Sequence, residues 1–145
     1  MPDPRRCERL MERVRRIPIV DTLQLRIDEY GEGFCKATMP RLRRFDGVFE
    51  SLHGGLLMTL ADSAACFAIM TLTGPDEVLT TTDMNIRFLA PCLTAATVSA
   101  RVIKLGRTLC PVSVEVSDEA GTPVAVGQVA YMRLPKMPER PAEPG

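Results

Sequence analysis

The sequence predicts an α+β domain in which a curved antiparallel sheet wraps a long central apolar helix. Three observations predict it. Helices and extended segments come in the order helix, two strands, long helix, four strands, without the regular strand–helix alternation that builds a parallel sheet. The later segments alternate apolar and polar residues with a period of two, as strands with one buried face do. The long helix is apolar on nearly every side, so a sheet must cover one side of it and another surface the rest.

Pro4 followed by residues 5–15 predicts a short amphipathic helix, with Leu10, Met11 and Val14 as its apolar stripe and arginines on its wet face. Residues 17–29 and 33–38 predict two strands turning at Tyr30-Gly31-Glu32, with Leu23, Leu25 and Ile27 alternating against polar neighbours. Residues 39–51 form a charged loop carrying Arg41, Arg43, Arg44, Asp46 and Glu50, a kind of segment that often borders a site. His53-Gly54-Gly55 then opens the long helix, whose apolar run from Leu56 to Leu72 is stopped by Gly74-Pro75.

Four extended segments follow, at residues 79–89, 95–104, 108–117 and 123–133, and predict an antiparallel meander. Its turns fall at Leu105-Gly106-Arg107 and at residues 118–122 through Gly121. The chain therefore divides into an amphipathic helix over 1–16, one domain over 17–134, and a tail over 135–145 whose four prolines predict mobility.

Composition narrows the function. At 145 residues with 46% hydrophobic and 25% charged residues, the chain reads as one soluble globular domain. A formal net charge of zero supplies no field for nucleic acid, and five Phe with two Tyr leave little for base stacking. Five scattered cysteines, Cys7, Cys35, Cys66, Cys92 and Cys110, without a CxxC pair suggest neither a disulfide framework nor a zinc site, and fit a reducing cytoplasm. The first sixteen residues mix three acids with six arginines and do not read as a secretory or transit signal, so a cytoplasmic location is expected. The helix approaches membrane-spanning length, but Asp62 near its centre would cost about 2.5 to 3.5 kcal/mol on insertion, so no membrane partner is expected.

Asp62 is the only charge within that apolar run, and a carboxylate there needs a partner, hydration or a task. A helix opening at Gly54 presents unpaired N–H groups at the positive end of its dipole, a site suited to a carbonyl oxygen gaining negative charge. His53 is the only histidine, so no His-rich metal centre can form, and a serine triad would have to use it without a GxSxG elbow to present the serine. Glycine-rich phosphate loops are absent. What remains is a lone acid, which could activate water or attack a carbonyl itself.

Three stretches, LHGGLLMTLADSAACFA from Leu52, TTTDMNIRFLAPC from Thr80 and KLGRTLCPVSVEVSDEAGTPVAVGQVAYM from Lys104, resemble the PaaI-like hotdog-fold acyl-CoA thioesterases over residues 17–134. The resemblance implies a hotdog fold closed by a second subunit, in a homodimer or homotetramer, and an acyl-coenzyme A substrate with no further cofactor. It implies Asp62 as the catalytic acid, the Gly54 N–H as oxyanion donor, and His53 either orienting the thioester carbonyl or capping the helix. Thr81 matches a hydroxyl near the attacking water, contributed by the partner subunit. Gly55 and Gly47 fall on substrate-binding positions, and Lys104, Gly106 and Arg107 on a hairpin near the coenzyme A phosphates; Arg87, Arg43 and Arg44 are further basic candidates. Relatives often carry Asn six residues before the His and Gly three before it, where this chain has Gly47 and Glu50. A non-catalytic acyl-CoA-binding or regulatory module is the alternative, and a hotdog hydratase or dehydratase acting on the acyl chain is a third reading.

Overall fold

The computed structural model describes residues 3–143; the outermost two residues of the amphipathic segment and of the proline-rich tail lie outside the described residues. The order is α1 (Pro4–Arg15), α2 (Pro18–Leu23), β1 (Arg26–Gly31), β2 (Phe34–Met39), a 3-10 turn (Arg43–Phe45), α3 (Gly54–Thr73), β3 (Val78–Phe88), β4 (Ala96–Val102), β5 (Leu109–Ser117) and β6 (Pro123–Leu134). The strands form one antiparallel sheet in the order β1-β2-β4-β5-β6-β3.

The period-two pattern of the sequence becomes the concave face of this sheet. Cys35, Ala37 and Met39 of β2, Val98 and Ala100 of β4, Val112, Val114 and Val116 of β5, and Val129 of β6 are all buried against α3. From α3, Leu57, Leu60, Phe67 and Ile69 fill the trough, while Ala61, Ala64, Ala65 and Ala68 let its backbone lie close to the strands. Each such Leu, Ile or Phe side chain withdrawn from water contributes about 1.5 to 3 kcal/mol. By length and hydropathy α3 could cross a membrane, but over half of its most apolar window is buried inside the protein. Helix α1 adds Cys7, Leu10 and Val14 to the core, with Met11 only half-buried.

Three sequence expectations change. Residues 17–29 are not one strand: Pro18 sits at the first helical position and starts α2, and Gln24 ends it in the left-handed region at φ 54°, so β1 begins only at Arg26. The β1–β2 turn lies one step later than Tyr30-Gly31-Glu32, because Gly33, at φ 72°, is the residue that can adopt the required conformation, while Gly31 still pairs with Phe34. The last four strands are not a simple meander; β4, β5 and β6 are, but β3 crosses to the far edge and pairs with β6. That crossing places β3 along α3 near its middle and beginning.

Two glycines permit close approaches. A Cβ on Gly127 would sit 1.9 Å from the Asn85 carbonyl oxygen, so its absence lets β6 press against β3. At Gly106 a Cβ would meet the Leu109 carbonyl oxygen at 2.2 Å, which makes glycine a requirement of the β4–β5 turn.

Candidate active site

The loop before α3 is built to hold His53. The Arg41 guanidinium pairs with both carboxylate oxygens of Asp46 and donates to the Glu50 carbonyl at 2.8 Å, and Asp46 bridges to Leu52. The His53 N–H donates to the Phe45 carbonyl at 2.9 Å, and Arg44 lies over the Phe45 ring. The His53 ring then caps α3: its Nδ1 accepts from the Gly55 N–H at 2.9 Å, which leaves the proton of the neutral ring on Nε2. Leu56 and Leu57 donate to the His53 carbonyl.

These bonds take the N–H groups of Gly55, Leu56 and Leu57 and leave that of Gly54 without an acceptor among the described residues. The one free donor of the first turn is therefore the one expected to meet an oxyanion, and it opens on a cleft of about 350 Å³ lined by Leu52, Leu57, Phe88, Leu89 and Pro91. Gly47 lies against the His53 imidazole, where a Cβ would stand 3.5 Å from its Cδ2, and its own N–H is used by the Ser51 carbonyl. Gly55 has less room, since a Cβ there would come within 3.0 Å of the capping nitrogen.

Asp62 sits two turns further along α3, half-buried like Thr59, Ser63 and Cys66. Its Oδ1 accepts two hydrogen bonds, from Thr81 Oγ1 at 2.8 Å and from Tyr131 Oη at 2.7 Å. Its Oδ2 accepts none from the described residues. One oxygen is thus fixed and the other is left for a reactant.

Thr81 reaches Asp62 through a β-bulge. The β3–β6 register slips between Thr81 and Asp83, so Thr82 is the extra residue and bonds the Ala130 carbonyl, while Thr81, opposite Tyr131, faces α3. Its hydroxyl therefore meets Asp62 of its own chain. Tyr131 was not anticipated as a site residue.

Two thiols are suppressed as nucleophiles. Burial pushes the Cys66 thiol up to about 11, with the nearby Asp62 charge adding to it, and burial pushes Cys35 up to about 12. Neither supplies thiolate at neutral pH.

The remaining expected residues are scattered. Lys104, Gly106 and Arg107 form the β4–β5 turn at the opposite end of α3, the end where Gly33 bonds Thr71 and packs beside Val102. Lys104 and Arg107 are exposed, and the Gly106 carbonyl accepts from Arg133 at 3.1 Å. Arg87 is exposed on β3, opposite Val126, and Arg43 borders an open pocket beside the Arg41–Asp46 pair. Within one chain Gly47, His53, Gly54 and Gly55 meet at the start of α3, Asp62 and Thr81 meet near its middle, and the basic hairpin meets neither.

Comparison with known proteins agrees with this fold. Residues 49–125 match the family model described as the thioesterase superfamily. Acyl-coenzyme A thioesterase 13 of mouse and of human are each 35% identical over 82 residues, which cover 54% of this chain and 57% of theirs. The match thus spans little more than half the length of these curated relatives. A thioesterase family protein from Silicibacter pomeroyi superposes with a TM-score of 0.82 at 26% identity, covering 89% of this chain and 98% of that one. The E. coli PaaI protein of the phenylacetic acid degradation operon superposes with a TM-score of 0.84 at 21% identity, covering 92% and 96%, which is a likeness of fold. With the hotdog architecture in place and more than half of its residues, Gly54, Asp62 and Thr81 among them, inside the family match, the chain belongs to the thioesterase superfamily.

Proposed function

We propose that this protein hydrolyses acyl-coenzyme A thioesters to a free acid and coenzyme A. The observation that carries the proposal is the Asp62 carboxylate, with Oδ1 held by two hydroxyls and Oδ2 without a hydrogen bond from the described residues. Such a group can take a proton from water as it attacks the thioester carbonyl, or attack that carbonyl to give a mixed anhydride that water opens. In either case the tetrahedral oxyanion needs a donor, and the Gly54 N–H at the positive end of α3 is a free one. The curated relatives carry acyl-coenzyme A thioesterase in their names, which supports the substrate class.

Incubation with a panel of acyl-coenzyme A thioesters should release free thiol, read by its absorbance with a thiol reagent. Tight binding of the same thioesters without thiol release would favour the alternative of a non-catalytic binding module. One observation speaks for that alternative: where relatives often carry Asn, Gly47 offers no side-chain donor.

The site is proposed to need two subunits. Gly54 and Asp62 are eight residues apart on one helix, about 12 Å at 1.5 Å per residue, too far to address one carbonyl. Several surfaces await a cover. Among the described residues strand β3 pairs only on its β6 side, Asp62 is half-buried, and Phe49, Phe88, Leu89 and Leu93 are exposed. Sedimentation at micromolar concentration should therefore show at least a dimer, and a stable monomer would refute the shared site. We place its work in a reducing cytoplasm, on the ground of five scattered cysteines without a CxxC pair.

A further inference from the structure

We infer that Tyr131 is a positioning residue for the thioester hydrolysis proposed above, clamping the Asp62 carboxylate so that Oδ2 alone faces the substrate. The inference rests on that reading of the site, and it concerns a residue beyond the segment that matches the family model.

Tyr131 lies on β6, in the series of residues that point at α3, and is only 5% exposed. A phenol buried to that degree needs an acceptor. It finds two on one residue: Oη is 2.7 Å from Asp62 Oδ1 and 2.9 Å from the Asp62 main-chain oxygen. One proton shared between a residue's backbone carbonyl and its carboxylate ties the side chain to its own helix. The χ1 and χ2 rotations of Asp62 are then restricted, because either would break the bond to Oδ1.

Thr81 adds a second hydroxyl to the same oxygen from the β3 side. The two donors come from adjacent strands, since Thr81 and Tyr131 are register partners across β3 and β6. Their agreement on Oδ1 leaves Oδ2 as the oxygen with its lone pairs free. Burial pushes the phenol well above the usual tyrosine range, with Cys66 and Asp62 adding to the shift, so it stays a proton donor throughout. Tyr131 does not touch the reacting atoms, and it acts through Asp62.

The test is Tyr131→Phe, which keeps the ring and deletes the hydroxyl, measured beside wild type and Asp62→Asn for thiol release from acyl-coenzyme A. The expected result is kcat lower by about ten- to a hundredfold with KM within twofold of wild type, because a carboxylate free to swing loses attack geometry and not substrate affinity. Fluorotyrosine placed at position 131 keeps the ring and the hydroxyl while making the phenol more acidic. A residue that clamps Asp62 gives a kcat that changes progressively with that acidity, whereas one that only fills space gives none. Should Tyr131→Phe fail to fold, the fluorotyrosine series decides alone. Activity in Tyr131→Phe within twofold of wild type, or an unresponsive fluorotyrosine series, overturns the inference while leaving Asp62 in its role. Failure of wild type to release thiol overturns both, and hydrolysis that survives Asp62→Asn overturns the reading on which this one stands.

Discussion

Asp62→Asn is expected to lower kcat for acyl-coenzyme A hydrolysis by about a thousandfold or more while leaving the fold and the oligomeric state intact. The amide is nearly isosteric with the carboxylate, and its oxygen can still accept from Thr81 and Tyr131 where Oδ1 does now. Packing is therefore preserved. The group left at the Oδ2 position is an NH2, which neither takes a proton from water nor attacks a carbonyl at neutral pH. About 4 kcal/mol of transition-state stabilisation corresponds to a factor of a thousand, the scale expected when the sole base or nucleophile is removed. Hydrolysis within tenfold of wild type, with the thermal midpoint unchanged, would make Asp62 structural and would remove the mechanism.

The parts of this fold that were legible in the sequence are those fixed by local composition. The long helix announces itself through Leu, Met and Ala with one interruption, and its ends through His53-Gly54-Gly55 and Gly74-Pro75; the structure bounds it at Gly54–Thr73. Strands β4 and β5 declare themselves by alternation, since Val98, Ala100, Val112, Val114 and Val116 all turn to the same trough. Where two local signals competed, the weaker-looking one decided: Pro18 starts a helix although Leu23, Leu25 and Ile27 alternate as in a strand.

The site was legible only in part, because its contacts are long-range. The aim of Thr81 depends on a bulge at Thr82, and three consecutive threonines give no sign of which one faces inward. Tyr131 is 69 residues from Asp62 along the chain. A signal for it did exist, since a phenol in the inward series with Val129 and a lone carboxylate in an apolar helix each need a partner. The distance of Lys104 and Arg107 from Gly54 is a matter of topology: the β4–β5 turn lies at the end of the sheet opposite the start of α3, and no spacing along the chain reveals that.

Gly54→Pro is the complementary experiment, and it isolates a single atom pair. Gly54 is the first helical residue after the His53 cap, a position where proline is favoured because its fixed φ suits the helix and the missing N–H had no helical partner. His53, at φ −56° and ψ 130°, already has the extended backbone required of a residue preceding proline. The Phe88 ring stands 3.5 Å from a Cβ at this position, an ordinary contact. The helix should therefore form as before while the N–H disappears, and kcat should fall by about a hundred- to a thousandfold, the cost of one oxyanion donor. Co-expression of a Gly54→Pro chain with an Asp62→Asn chain, each inactive alone, then tests the shared site. If two α3 helices pack antiparallel, the mixed dimer pairs the intact Gly54 N–H of the second chain with the intact Asp62 of the first at one of its two sites. Purified mixed dimers should recover about half the wild-type kcat per dimer, since the other site carries both lesions. A site contained within one chain predicts no recovery, because every chain in the mixture is defective. Thiol release that stays at the level of the separate variants, in dimers whose mixed composition is established by mass, would therefore reject the two-subunit site and place the oxyanion donor for Asp62 elsewhere on its own chain.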